Sequence, residues 1–301
     1  MAKSKKTVVV DYLWDKLRAD GRTVATFKDV SDAIRDCNEK FGLGLSANNP
    51  ANFMKDLLRG SSASANWPER LTGMKITGRQ LKGENRIFEF VDFVPGQLEP
   101  FPNPFEPCGD ETAIVLQSVS LPLATKSLGR SDESWLVQVA VHLRVLESHF
   151  ATNSSLNVLE LTHLQVGVKL GRSEIDSIFL AVIEDGVRRF NALVTCEAKQ
   201  ARDPILGDQI VQQVRDALDS AQRLQMEIDL VVPIAIKALA QKAAIYVVEF
   251  EPWTAEEASA EESDLKQLVA SSTAVYELKP PVPGVGYNPP LRGRRASKPS
   301  V

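Results

Sequence analysis

The chain has 301 residues, 44% of them hydrophobic and 25% charged, which are the proportions of an ordinary folded protein with room for two domains. No uncharged apolar run reaches the ~18 residues of a membrane span, and the first residues lack a secretion signal's apolar stretch, so the expected compartment is the cytosol. The net charge of -4 argues against a general nucleic-acid coat, yet residues 1–90 hold 16 Lys and Arg against 11 Asp and Glu, a basic excess at the front of an otherwise acidic chain.

After a basic arm over residues 1–6, Val9, Tyr12, Leu13 and Leu17 recur at helical spacing until Asp20-Gly21 stops them. A second helix is expected from Thr26 to about Phe41, with Val30, Ile34 and Cys37 on one face and Gly42 as its stop. Asn49 and Pro50 read as the N-cap and first residue of a third helix that runs to Arg59. Residues 74–81 and 86–91, joined by a turn at 82–85, read as a hairpin. Three helices followed by a β-hairpin resemble a winged helix-turn-helix. That resemblance implies that residues 1–93 bind duplex DNA, with Asn48, Asn52, Lys55 and Arg59 on the reading helix and Lys75, Arg79 and Lys82 on the wing.

Residues 94–110 carry five prolines, Pro95, Pro100, Pro102, Pro104 and Pro107, and read as an extended linker or a segment draped over a domain. A second domain is expected over 111–278. Its first strand falls near Ile114–Leu121, and Ser131-Asp132-Glu133 caps one largely apolar helix, Trp135 to Leu146. His142 and His149, seven residues apart, lack a third ligand and read as packing or surface groups. The three cysteines, Cys37, Cys108 and Cys196, are odd in number and far apart, and give neither a disulfide framework nor a structural zinc site. A strand over Val158–Leu170, an amphipathic helix from Ile205 to about Leu224, strands at Ile228–Ile236 and Ala243–Phe250, and an acidic helix at Glu256–Asp264 follow. Residues 279–301, rich in Pro, Gly, Ser and Arg, with Arg292, Arg294, Arg295 and Lys298, read as a disordered basic tail.

Two β-rich runs lie between the strand at Val158–Leu170 and the amphipathic helix: Asp176 to Ile183, and Phe190 to Lys199, separated by Asp185-Gly186, a hairpin turn signal. Glu197 and Lys199 share a face, because side chains two apart on a strand point the same way. Taken alone, Glu-Ala-Lys at a strand end is an ordinary solvated ion pair. An antiparallel hairpin brings Asp176 beside it, and two carboxylates with a lysine suit a hard divalent cation and an attacking water.

These residues, in the order helix, three strands, helix, two strands, resemble the PD-(D/E)xK, or restriction-endonuclease-like, nuclease superfamily over roughly residues 131–250, although Ile175 stands where the family's name has proline. The resemblance implies an α/β fold, a mixed central sheet flanked by helices, beside the small N-terminal winged-helix domain. It implies Mg²⁺, with Mn²⁺ as substitute, held by Asp176, Glu197 and the Ala198 carbonyl, with Lys199 positioning the water. A helix carboxylate approaching the metal is assigned to Glu133, with Glu147 second, and an assisting amide to Gln209, chosen among Gln209, Gln212 and Gln213 in the first half of the amphipathic helix. The implied protein is a dimeric DNA endonuclease in restriction or phage defence. A DNA-binding regulator with a degenerate, non-cutting nuclease fold and a nuclease selective for junctions or nicks are the alternatives.

Overall fold

A computed structural model of the chain describes residues 4–58, 66–81, 85–171, 173–240, 242–260 and 267–286. Arg59 and Lys82 lie outside them. Two compact units divide the chain, Met1–Glu106 with Arg202–Asp208, and Pro107–Ala201 with Gln209–Val301. No helix among the described residues is long and apolar enough to cross a membrane.

In the first unit, α1 (Lys5–Ala19) buries Val9, Val10, Leu13, Trp14 and Leu17. A short strand, β1 (Val24–Thr26), precedes α2 (Phe27–Phe41). Thr26 caps α2 reciprocally: its hydroxyl accepts from the Asp29 N–H at 3.2 Å, while the Asp29 carboxylate accepts from the Thr26 N–H at 2.9 Å. Gly42 ends the helix at φ 62°, a left-handed conformation that costs glycine little. Asn49 Oδ1 accepts from the Asn52 N–H at 3.1 Å and opens α3 (Pro50–Leu58). After α4 (Glu69–Gly73), β2 (Ile76–Gln80) and β3 (Arg86–Asp92) form an antiparallel hairpin, and the sheet order is β1-β3-β2. The strand β1 and helix α4 are too short to leave a periodic signal in sequence.

The proline-rich segment is draped over this unit rather than extended. The Thr77 hydroxyl donates to the Pro100 carbonyl, and the Phe101 ring meets Trp67 edge-on at 5.1 Å.

The second unit is built on a mixed sheet. Its strands are β4 (Thr112–Gln117), β5 (Val158–Leu170), β6 (Ser173–Glu184), β7 (Arg189–Lys199), β8 (Leu230–Ala238), β9 (Ala244–Phe250), β10 (Trp253–Thr254) and β11 (Ala270–Lys279). The order is β4-β11-β9-β8-β7-β6-β5, with β10 on β8; β7–β8 and β11–β4 are parallel, and the other pairs are antiparallel. One face packs Ala192, Val194, Cys196, Val232, Ile234 and Ile236 against α6 (Glu133–His142) and α7 (Val145–Thr152). The opposite face sets Leu193, Ile178 and Val231 against Val214, Ala217, Leu218 and Ala221 of α8 (Gly207–Arg223). Being covered on both sides is why β7 and β8 read as continuous apolar runs.

Several expectations change. The helix expected over Trp135–Leu146 is two helices, broken where Arg144 adopts φ 53°, and the turn sends Val145, Leu146, His149 and Phe150 inward. His142 and His149 therefore belong to different helices. His142 is exposed, whereas His149 is fully buried, 2.9 Å from Ser272 Oγ and 3.2 Å from the Glu249 carboxylate. The second change is β11, a strand missing from the sequence reading, which sends Ala274, Tyr276 and Leu278 into the core on the α6–α7 face of the sheet. The third is the tail: Val282 and Val285 are fully buried in that same core, so the packed chain extends beyond residue 279 to at least 286. Residues 287–301 lie outside the described ones. The acidic helix at Glu256–Asp264 is α9 (Ala255–Ser259), with residues 261–266 also outside. In addition, α5 (Leu123–Ser127) follows β4, which ends at Gln117 rather than Leu121.

Candidate active site

The β6–β7 hairpin is closed by a four-residue loop in which Asp185 Oδ1 accepts from the N–H groups of Val187 and Arg188 at 3.0 and 2.9 Å and Gly186 takes φ 84°. This turn sets the register, Glu184 against Arg189 through Ser177 against Cys196. One position further along, Asp176 faces Glu197. There the Asp176 side chain takes over from the ladder: its Oδ2 accepts from the Ala198 N–H at 2.8 Å.

Alternation along β7 sends Cys196 and Ala198 into one core and Glu197 and Lys199 toward α8. Both charged side chains are buried, 2% and 5% exposed. Glu197 Oε1 accepts from Lys199 Nζ and from Gln209 Nε2, the latter at 2.5 Å. Glu197 Oε2 accepts from Gln213 Nε2, which also donates to the Glu174 carbonyl at 2.9 Å. Lys199 Nζ donates to Gln209 Oε1 at 3.4 Å and lies 3.7 Å from Glu133 Oε1. Glu133 reaches the group from the first turn of α6, where Asp132 caps the helix by accepting from the Trp135 N–H at 2.8 Å. Gln200 Nε2 donates to the Asp132 carbonyl at 2.8 Å and ties this helix start to the end of β7. The structure thus brings Asp176, Glu197, Lys199, Glu133 and Gln209 together.

Burial, first, and then the charge of Glu197 push the Asp176 carboxyl up to about 7, against the pull of the Ala198 N–H and Lys199. The electrostatic signature of this group is a buried carboxyl, Asp176, held up by burial and by a neighbouring carboxylate despite Lys199 beside it.

No family model, curated protein or solved structure matches the chain.

Of the three glutamines in the first half of α8 the structure adds Gln213 to the chosen Gln209; it lies one helical turn later, and that spacing puts both on one face. One buried residue in the same part of the sheet was not singled out in the sequence. Lys237 stands opposite Lys199 in the parallel β7–β8 register and is 3% exposed, a second buried lysine in the same row of the sheet. Glu147, the second choice beside Glu133, is half-buried on α7; its Oε2 is buried without a hydrogen bond, and desolvation raises its carboxyl pKa.

In the first unit Asn48 and Asn52 are exposed and Lys55 half-buried, the latter two on α3. Lys75 is exposed, with Nζ 5.5 Å from the Phe93 ring. Arg79 is engaged by Glu89 across the hairpin at 2.7 Å.

Proposed function

We infer that the second unit is a divalent-metal-dependent endodeoxyribonuclease, a phosphodiester hydrolase of the PD-(D/E)xK type, and that the first unit is a winged helix that binds duplex DNA. The observation that carries this reading is the convergence of Asp176, Glu197 and Lys199 at one end of adjacent antiparallel strands. Support also comes from the element order: a helix, three antiparallel strands, a helix, and a strand parallel to the third, in a mixed sheet.

The residues fit a hard cation. Their donors are oxygens, and Asp176 is raised first by burial and then by the neighbouring charge of Glu197, the second of which a cation between the two carboxylates would relieve. The ligand set we propose is the one the resemblance implies, the two carboxylates with the Ala198 carbonyl, completed by water. Mg²⁺, or Mn²⁺ in its place, supplies polarisation of the phosphate and charge for the leaving oxyanion. Lys199, fixed between Glu197 and Glu133, orients the water for attack on phosphorus. Gln209 is hydrogen-bonded to both Lys199 and Glu197. A two-fold dimer in restriction or phage defence suits an enzyme that cuts both strands.

One observation favours a second reading, a DNA-binding regulator that does not cut: both Glu197 oxygens are already engaged by protein donors. Plasmid incubated with Mg²⁺ or Mn²⁺ decides between them. Wild-type protein is expected to nick or linearise it, and Glu197→Ala and Lys199→Ala to lose on the order of 10³-fold in rate, roughly the scale of removing a transition-state electrostatic contact. Binding without metal-dependent cleavage, over methylated, unmethylated and branched DNAs, would leave the regulator standing.

A further inference from the structure

Glu197 is held at both oxygens, and the two glutamines that hold it are not equivalent. Gln213 is 1% exposed, and its amide nitrogen bridges two strands, donating to the Glu174 carbonyl of β6 at 2.9 Å and to Glu197 Oε2 of β7. An amide nitrogen has two hydrogens, so those two acceptors use it fully. If Gln213 swung away, Glu197 Oε2 would lose this donor inside the protein. Gln209, one turn earlier, is half-buried, and it shares Glu197 Oε1 with Lys199. Its amide can turn outward and bond water instead.

On the nuclease reading, on which this inference rests, we propose that Gln213 is a positioning residue that locks Glu197 through Oε2 and so presents Oε1 to the divalent cation, and that Gln209 is the donor the cation displaces. The two amides on one face of α8 then divide the work: one is a permanent anchor, the other a placeholder.

The test titrates Mn²⁺ into the full chain by electron paramagnetic resonance, counting only the binding that Glu197→Ala removes, beside steady-state cleavage of plasmid. Gln213→Met, similar in length but without the amide, is expected to weaken Mn²⁺ binding by about tenfold or more, the usual scale for removing an outer partner of a metal ligand. It should lower kcat and raise the half-saturating Mn²⁺ concentration while leaving KM for DNA unchanged. Gln209→Met is expected to bind Mn²⁺ as tightly as wild type or more tightly. Gln213→Asn keeps the amide on a chain one methylene shorter and should fall between wild type and Gln213→Met. A purely structural role for Gln213 would lower melting temperature and active fraction without moving half-saturation. Wild-type Mn²⁺ affinity in folded Gln213→Met overturns the proposal, as does a loss in Gln209→Met equal to that in Gln213→Met. If Gln213→Met does not fold, wild-type affinity in Gln213→Asn overturns it instead. A wild-type chain that takes up no Mn²⁺, with or without DNA, overturns the nuclease reading and this inference together; one that binds Mn²⁺ indifferently to Gln213 overturns this inference alone.

Discussion

Asp176 carries a cost that the fold accepts. Its carboxyl is raised from an ordinary 3.8 to about 7 by burial and by Glu197, with Glu133 adding to the repulsion and Lys199 and the Ala198 N–H opposing it. Between about pH 4 and pH 7 the folded state therefore binds more protons than the unfolded chain, and stability falls as pH rises through that window. Thermal melts in chelator at pH 5 and pH 8 are expected to show the loss in the wild type. Asp176→Asn, which has no such proton to release, should flatten the dependence and be the more stable protein at pH 8. Equal slopes for the two proteins would mean that another group controls the transition. At this scale the sequence was informative for Asp176, Glu197 and Lys199, because strand alternation and one turn signal sufficed to bring them together. The choice among Gln209, Gln212 and Gln213 was not legible for a physical reason: a helical glutamine looks like any solvated amide until the strand opposite is known to bury a carboxylate.

Among the elements, the first unit's hairpin depends on an absent side chain. A Cβ on Gly78 of β2 would lie 2.1 Å from the Phe88 ring and 3.1 Å from Trp67, so the aromatic cluster of Trp67, Phe88 and Phe90 occupies the space. Gly78→Val is expected to destabilise the first unit by about 1–3 kcal/mol, the range for overpacking a well-filled core. Urea unfolding followed by tryptophan fluorescence measures it, and an unchanged midpoint would show that the rings move aside at no cost. The same scale explains which elements the sequence revealed. Strands β6 to β9 were legible because long apolar runs bounded by turn residues leave few other readings. By contrast, β11 begins Ala-Ser-Ser-Thr and runs into prolines, which looks like loop; its strand character comes from neighbours on both sides, β9 and β4, rather than from its own composition. The break at Arg144 lacks a glycine or proline to announce it.

On the scale of the whole molecule, charge is divided by region, with the basic excess in residues 1–90 and the acidic remainder containing the carboxylate site. If the first unit holds DNA through phosphates, binding weakens steeply as salt rises. Lys75→Ala is expected to weaken binding uniformly across sequences and to reduce the log–log salt slope by about 1. Arg79→Ala, whose guanidinium is already engaged by Glu89, should change the slope less. Fluorescence anisotropy over a salt series reads both, and equal effects would place Arg79 on the DNA despite its partner. The path of the proline-rich segment across the first unit was not legible in the sequence, since it depends on Trp67 and Thr77, which lie far from it in the chain.

The position of β11 matters for the order in which the chain is made. β4 has β11 as its strand neighbour, and β11 is also what separates it from β9. A strand at residues 112–117 thus waits for one at residues 270–279, and Val282 and Val285 complete the same core. During synthesis the sheet that carries the carboxylate site stays open at one side until residues 270–285 have left the ribosome, so those residues decide when that unit becomes whole.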